Sequence, residues 1–237
     1  MVIILISITL AGCSSYSTMT NIYILGMSYA NSTHQSMGPN RQSQFNALQS
    51  LRGTAQLEVR VGYFGMCVRQ QSILWLCTSD ASLLTQEIGA MNDPLDLIGA
   101  ASSFKDDVLF SGVMLMVIVL AFLTLLTLAT FPGWHKERDP RSGSDVDVKP
   151  FPTLLAGNFA MAGSFVAAML LLVAGLWQHV GAVGAGAMAK IANVGNVTTE
   201  IGVSAMIVTW VAVFFEFAAA AGGFLLAMSI LILDRFT

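Results

Sequence analysis

Three long apolar runs stand out along the chain, and each has the length and composition to cross a lipid bilayer. About 20 mostly apolar residues cover the roughly 30 Å hydrocarbon core, because a helix satisfies its own backbone polar groups there. Residues 108–131 are apolar apart from Ser and Thr, and stop at Pro132-Gly133, the kind of punctuation that ends a helix. Residues 154–177 form a second run closed by Trp177, an interfacial aromatic anchor, with Gln178 and His179 following. Residues 204–233 form a third, ending at Asp234-Arg235; its length exceeds the hydrocarbon thickness, which implies tilt or an emergent end.

The N-terminal run is shorter. Met1 to Gly12 is apolar but covers only about 20 Å, so a first membrane segment is expected over residues 1–16, abbreviated relative to the others. Two other readings stay open: a signal h-region, and a lipoprotein cleavage site matching Leu10-Ala11-Gly12-Cys13. Against the second stand the lack of a basic n-region and the three later spans. The missing basic start equally fits a chain whose cytoplasmic beginning lies upstream.

The pattern therefore predicts an all-α membrane protein: a four-helix transmembrane bundle with a small disulfide-tied antiparallel β-sheet in the first extracellular loop. Its divisions are a first segment over 1–16, an extracellular loop over 17–105, helices over 108–131, 154–177 and 204–233, a cytoplasmic loop over 132–152, a second extracellular loop over 178–203, and a cytoplasmic tail over 234–237. Orientation follows from basic residues. The loop 132–152 carries Lys136, Arg138, Arg141 and Lys149, whereas 178–203 carries only Lys190, so the former is cytoplasmic. Its acids, Glu137, Asp139, Asp145 and Asp147, bring the net charge near zero but weigh little in that rule. Two glycosylation sequons, at Asn31 and Asn196, both fall on the opposite side.

Within the long loop, apolar and polar residues alternate over Leu57 to Val61 as in a half-buried strand, and residues 72–77 read as a strand that pairs with it. Residues 81–100 are expected to be helical or irregular. Cys67 and Cys77 flank the gap between the two strand candidates, and in an oxidising compartment they pair to clamp a hairpin. A bridge of that spacing contributes roughly 2 to 3 kcal/mol. A reduced, buried pair is the alternative. Gly62 and Gly65 mark a bulge or a close backbone approach.

The run Gly62-Tyr63-Phe64-Gly65-Met66-Cys67, with Trp75 and Cys77 following, resembles the signature of a fungal family of factor-induced-gene calcium regulators and membrane-fusion proteins within the claudin-like four-transmembrane superfamily. Leu10 to Ser15, followed by Asn21-Ile22-Tyr23, is similar to that family's exit from the first span. The topological resemblance covers essentially the whole chain. It implies a plasma-membrane protein of fungal mating and cell fusion, associated with low-affinity calcium influx. It also implies that Gly62, Tyr63, Phe64, Gly65, Cys67 and Cys77 are structural-functional positions with no catalytic role.

Composition narrows the classes further. At 55% hydrophobic and 11% charged, against about a quarter charged in soluble domains, the chain does not read as water-soluble. A net charge of −3 without a basic stripe removes nucleic acid as a partner. His34, His135 and His179 are scattered over three segments, and neither a phosphate loop nor a nucleophile elbow is present, so no enzyme, cofactor or metal centre is expected.

Glu216 is the one acid deep inside a span, where a carboxylate costs on the order of 2.5 to 3.5 kcal/mol. It reads either as a cation-coordinating or proton-sensitive group, or as a protonated, hydrogen-bonded group that holds the bundle together. Small residues recur four apart at Gly163 and Ala167, Ala218 and Gly222, and Ala219 and Gly223, a spacing for close helix packing or self-association. Asp80, Glu87, Asp93, Asp96, Asp106 and Asp107 gather toward the base of the long loop, either as a cation-concentrating entrance or as a solvated face. Expected partners are the bilayer, calcium ions, and other membrane proteins or a second copy. The rival to a calcium and fusion regulator is a claudin-type adhesion or membrane-organising protein that passes no ion; a pore in its own right would need more intramembrane polar residues than Glu216.

Overall fold

The computed structural model of the chain describes residues 1–14, 19–30, 39–71, 74–131, 135–138, 145–148 and 154–234. In chain order its elements are α1 (Val2–Ala11), β1 (Leu25–Tyr29), α2 (Pro39–Arg52), β2 (Leu57–Val61), β3 (Met66–Gln70), β4 (Trp75–Thr78), α3 (Ala81–Ile88), α4 (Leu97–Val108), α5 (Ser111–Ala129), β5 (His135–Arg138), β6 (Asp145–Val148), α6 (Leu154–Ala192), β7 (Val197–Ile201) and α7 (Val203–Asp234).

Among the described residues three helices, α5, α6 and α7, are long and apolar enough to cross a membrane. The fourth, α1, has ten residues and rises about 15 Å, half the thickness of a hydrocarbon core. It packs along α5 and α7 and buries Val2, Ile6 and Leu10. The bundle thus has four helices at its sheet end and three at the other.

The greatest departure from the sequence reading is in α6. The span expected to close at Trp177 continues without a break to Ala192, giving 39 residues and a length of about 58 Å. Residues 178–203, expected to be a loop, are therefore mostly helix. The physical reason is contact with the sheet. Ala182 is fully buried, a Cβ on Gly186 would lie 3.1 Å from Thr199 Oγ1, and that hydroxyl donates to the Gly186 carbonyl at 3.2 Å. Small side chains let the sheet rest on the helix.

The sheet has five antiparallel strands in the order β4-β3-β2-β1-β7. It is larger than a first-loop hairpin, because β7 comes from the second loop and pairs with β1. The strand over residues 75–78 does not pair with Leu57–Val61 as expected; β3 lies between them. On the inner face Leu57, Val59 and Val61 alternate with Glu58 and Arg60, and pack with Met66, Val68, Leu25 and Met27 into one core that includes Leu97, Ile98, Ala101 and Phe104 of α4. Burying each such aliphatic side chain contributes about 1.5 to 3 kcal/mol. Cys67 and Cys77 occupy directly opposed positions on β3 and β4 and form the disulfide. Between α5 and α6, β5 and β6 pair as a short antiparallel hairpin.

Candidate functional site at the junction of sheet and bundle

The connection between β2 and β3 is the four-residue turn Gly62-Tyr63-Phe64-Gly65, closed by the Gly62 amide donating to the Gly65 carbonyl at 2.9 Å. Both glycines are required by what lies on them. A Cβ on Gly62 would stand 2.1 Å from the Gly12 carbonyl oxygen, and one on Gly65 would stand 2.6 Å from that of Cys13. The exit of α1 therefore lies backbone to backbone across the turn, and only hydrogen at those positions permits it. Gly12 is confined in turn, since its Cβ would meet the Ile22 carbonyl oxygen at 2.3 Å. The two sequence motifs, residues 10–23 and 62–77, are one packed unit.

The turn's side chains divide. Tyr63 is buried and reaches the membrane helices, its hydroxyl donating to Gln178 Oε1 of α6 at 3.1 Å. Burial pushes its phenol above the usual range, so the O–H remains a donor at physiological pH. The Thr209 hydroxyl of α7 lies 3.2 Å from the same Oε1 and shares its proton with the Ala205 carbonyl at 2.9 Å. Phe64 is 43% exposed at the tip of the turn. Nearby, Trp177 Nε1 donates to the Val108 carbonyl at 2.8 Å and its ring packs against Phe110 at 5.9 Å, an aromatic pair of the kind found at a membrane–water boundary.

The sheet's outward face carries a ladder of charge and aromatic rings beside the disulfide. The Arg60 guanidinium lies 4.7 Å from the Tyr23 ring and 4.4 Å from Trp75, and Arg69 lies 4.8 Å from the other side of that ladder, on Trp75. Glu58 accepts from Arg60 Nε at 2.9 Å and from Arg69 at 2.5 Å, and Arg60 also donates to the Thr20 carbonyl at 2.9 Å. These contacts shape the surface around Cys67, which is fully buried. Cys13 is likewise buried, its thiol directed at the Thr20 carbonyl, so the exit of α1 is packed into the junction.

The loop acids are mostly structural. Asp80 caps α3 through the amide and hydroxyl of Ser82, and Asp96 caps α4 through the Gly99 amide. Asp93 accepts from the Tyr29 hydroxyl at 2.7 Å and from the amides of Leu97 and Ile98. Burial is the main cause that holds the Tyr29 phenol above its usual range. Asp106 sits near Lys105 and Ser102. Four of the six acids thus have hydrogen-bond or ion-pair partners within the chain.

Of the sequons, Asn31 lies outside the described residues, as does His34. Asn196 is buried, with its amide nitrogen donating to the Phe45 and Asn193 carbonyls, so a glycan there requires that nitrogen to be released. Among the described residues no three His, Cys, Asp or Glu side chains converge as a metal cluster.

Glu216 is apart from the junction. It is buried on α7 and borders a cavity of about 550 Å³ at the other end of the bundle, with Thr124 of α5 and Ser164 of α6 on the facing walls and Met1 to Ile3 at its edge. One carboxylate and two hydroxyls supply part of the six to eight oxygens calcium takes. Along the same stripe of α7 lie Ala219, Gly222 and Gly223. Gly223 approaches Met161 of α6, and Gly163 of α6 approaches Thr124, so close helix packing within the chain uses these small residues; Gly222 meets nothing.

Residues 43–231 match the family of the Ca2+ regulator and membrane fusion protein Fig1. The chain belongs to that family. The Fig1 match takes in the motif turn, the disulfide, every strand from β2 onward and all three membrane helices. No curated protein matches the chain. The pattern of glycines and cysteines pointed to the Fig1 junction from sequence, whereas Gln178, Thr209 and the Arg60 ladder were missed. A glutamine immediately after an apolar run, and Glu58 and Arg60 on the polar side of an alternating strand, were the available signals.

Proposed function

We propose that this Fig1-family chain regulates low-affinity calcium influx and takes part in membrane fusion at the plasma membrane during fungal mating or cell fusion, with the sheet outside and the termini inside. The observation that carries the reading is the family match over a fold in which β1, from before α5, pairs with β7, from after α6. That pairing favours a topology with both loops on one side of the bilayer. A disulfide in the same sheet favours the oxidising side, and the basic residues between α5 and α6 favour the cytoplasm for the other.

A claudin-like membrane organiser that passes no ion is the second reading. It draws support from the bundle interior, where Glu216 is the only buried charged side chain among the described residues of the spans. In either case the chain acts without chemical catalysis, through its junction and through Glu216 as the intramembrane functional acid.

Calcium uptake in cells with and without the protein separates the two. Uptake that depends on the protein supports the regulator; uptake indifferent to it leaves the organiser. Topology is checked on intact cells with an impermeant amine reagent, which is expected to tag Lys190 and spare Lys136 and Lys149.

A further inference from the structure

The polar contacts of Gln178, within α6, do more than fill space. Gln178 is 1% exposed, yet it is a full primary amide placed where α6 leaves the apolar run. Its Oε1 accepts from Tyr63 at 3.1 Å and its Nε2 donates to Met206 Sδ of α7 at 3.6 Å, while the Thr209 hydroxyl, 3.2 Å from Oε1, shares its one proton with the Ala205 carbonyl at 2.9 Å. One side chain thus joins three elements: the motif turn, α6 and α7. Tyr63 and Gln178 are 115 positions apart in sequence, and Thr209 is a further 31 beyond Gln178. Burying an amide without partners is costly, so Tyr63, which has Gln178 as its hydrogen-bond partner, is held in place by it. The backbone of the turn is already fixed on its other side by the Gly12–Cys13 segment.

We infer that Gln178 is the positioning residue for the Gly62–Gly65 turn, and that it acts through Tyr63 to lock the turn to the packed pair of α6 and α7. The turn cannot shift without releasing a side chain that α7 also contacts through Met206 and Thr209, so displacement between the two helices is felt at the sheet. Its service to calcium influx rests on the function proposed above; the lock itself does not.

The test uses the full chain in detergent or lipid, with hydrogen exchange of residues 62–66 as the readout. Tyr63→Phe removes one oxygen and is expected to raise exchange there about fivefold, the worth of one ordinary hydrogen bond. Gln178→Leu is expected to do the same, and the double variant no more than either alone. Gln178→Glu, which keeps an acceptor at the same reach, is expected to restore both the protection and parental calcium uptake at matched surface level. Effects that multiply in the double variant, or a turn equally protected in Gln178→Leu, overturn the lock. Should Gln178→Leu fail to reach the membrane, Tyr63→Phe alone decides, because an unchanged turn in that variant also overturns it. Uptake indifferent to the whole protein defeats the proposed function and leaves the exchange result to judge the lock.

Discussion

At the sheet end of the bundle, a methyl group added to Gly12, Gly62 or Gly65 would lie between 2.1 and 2.6 Å from a backbone carbonyl oxygen, whereas at the other end one added to Gly222 has nothing within 4 Å. The same residue type serves opposite purposes in the two places. Near the sheet, glycine lets main chain cross main chain, and a disulfide, a cation–aromatic ladder and a buried amide hold the crossing from three sides. Near Glu216, Gly163 and Gly223 still pack on Thr124 and Met161, but Ala219 and Gly222 border a cavity of about 550 Å³. The first region tolerates no change in shape, and the second has room for one.

Gly62→Ala puts the comparison under the greatest strain. The Gly12 carbonyl belongs to backbone that is itself confined by Ile22, so neither side yields, and a loss of about 3 kcal/mol or more is expected. Thermal unfolding in detergent and delivery to the cell surface measure it; a variant as stable as the parent dismantles the packed junction. Removing the disulfide comes next. Cys67→Ala closes no ten-residue loop and is expected to cost about 2 to 3 kcal/mol, seen as a lower unfolding temperature that reductant no longer shifts.

How much of this the sequence disclosed differs between the ends for physical reasons. A membrane span needs only some 20 apolar residues, a local property, so the three long helices were legible. The end of α6 was not, because nothing local stops a helix rich in Ala and Gly from continuing once a sheet packs on Ala182 and Gly186. The Cys67–Cys77 pairing could be read from spacing and compartment. The strand β3 that carries Cys67 could not, since Met66, Cys67 and Val68 are all buried and show no alternation. Pairing of β1 with β7 joins residues more than 150 apart, and no single-sequence pattern announces such a contact. Gly62 and Gly65 drew attention as bulge residues, but the segment that presses on them came from the other motif.

The far end predicts smaller effects of the opposite sign. Gly222→Ala meets no neighbour and gains helix propensity, so a stabilisation of about 0.5 to 1 kcal/mol is expected in the same unfolding measurement. A destabilised variant would mean that this face is already packed. Glu216→Gln keeps the shape of the side chain while removing its charge. Surface level is expected to hold and calcium uptake to change; unchanged uptake removes Glu216 as a functional site and leaves it a packing residue.

Asp80 gives the mildest test, and it asks whether the acids of the sheet end are structural, as their hydrogen bonds imply. The Ser82 hydroxyl and amide hold its carboxyl below the ordinary value of 3.8, because both bonds favour the charged form. A folded value lower than the unfolded one means that the cap's contribution is fully present above about pH 4. It is lost as pH falls through the depressed folded value. Exchange of the α3 amides is therefore expected to lose protection in that acid window while the buried strands keep theirs, and Asp80→Asn is expected to flatten the pH dependence. An α3 that stays equally protected through the window in the parent would return Asp80 to the solvated acidic face, and the rigid junction would then end at β4.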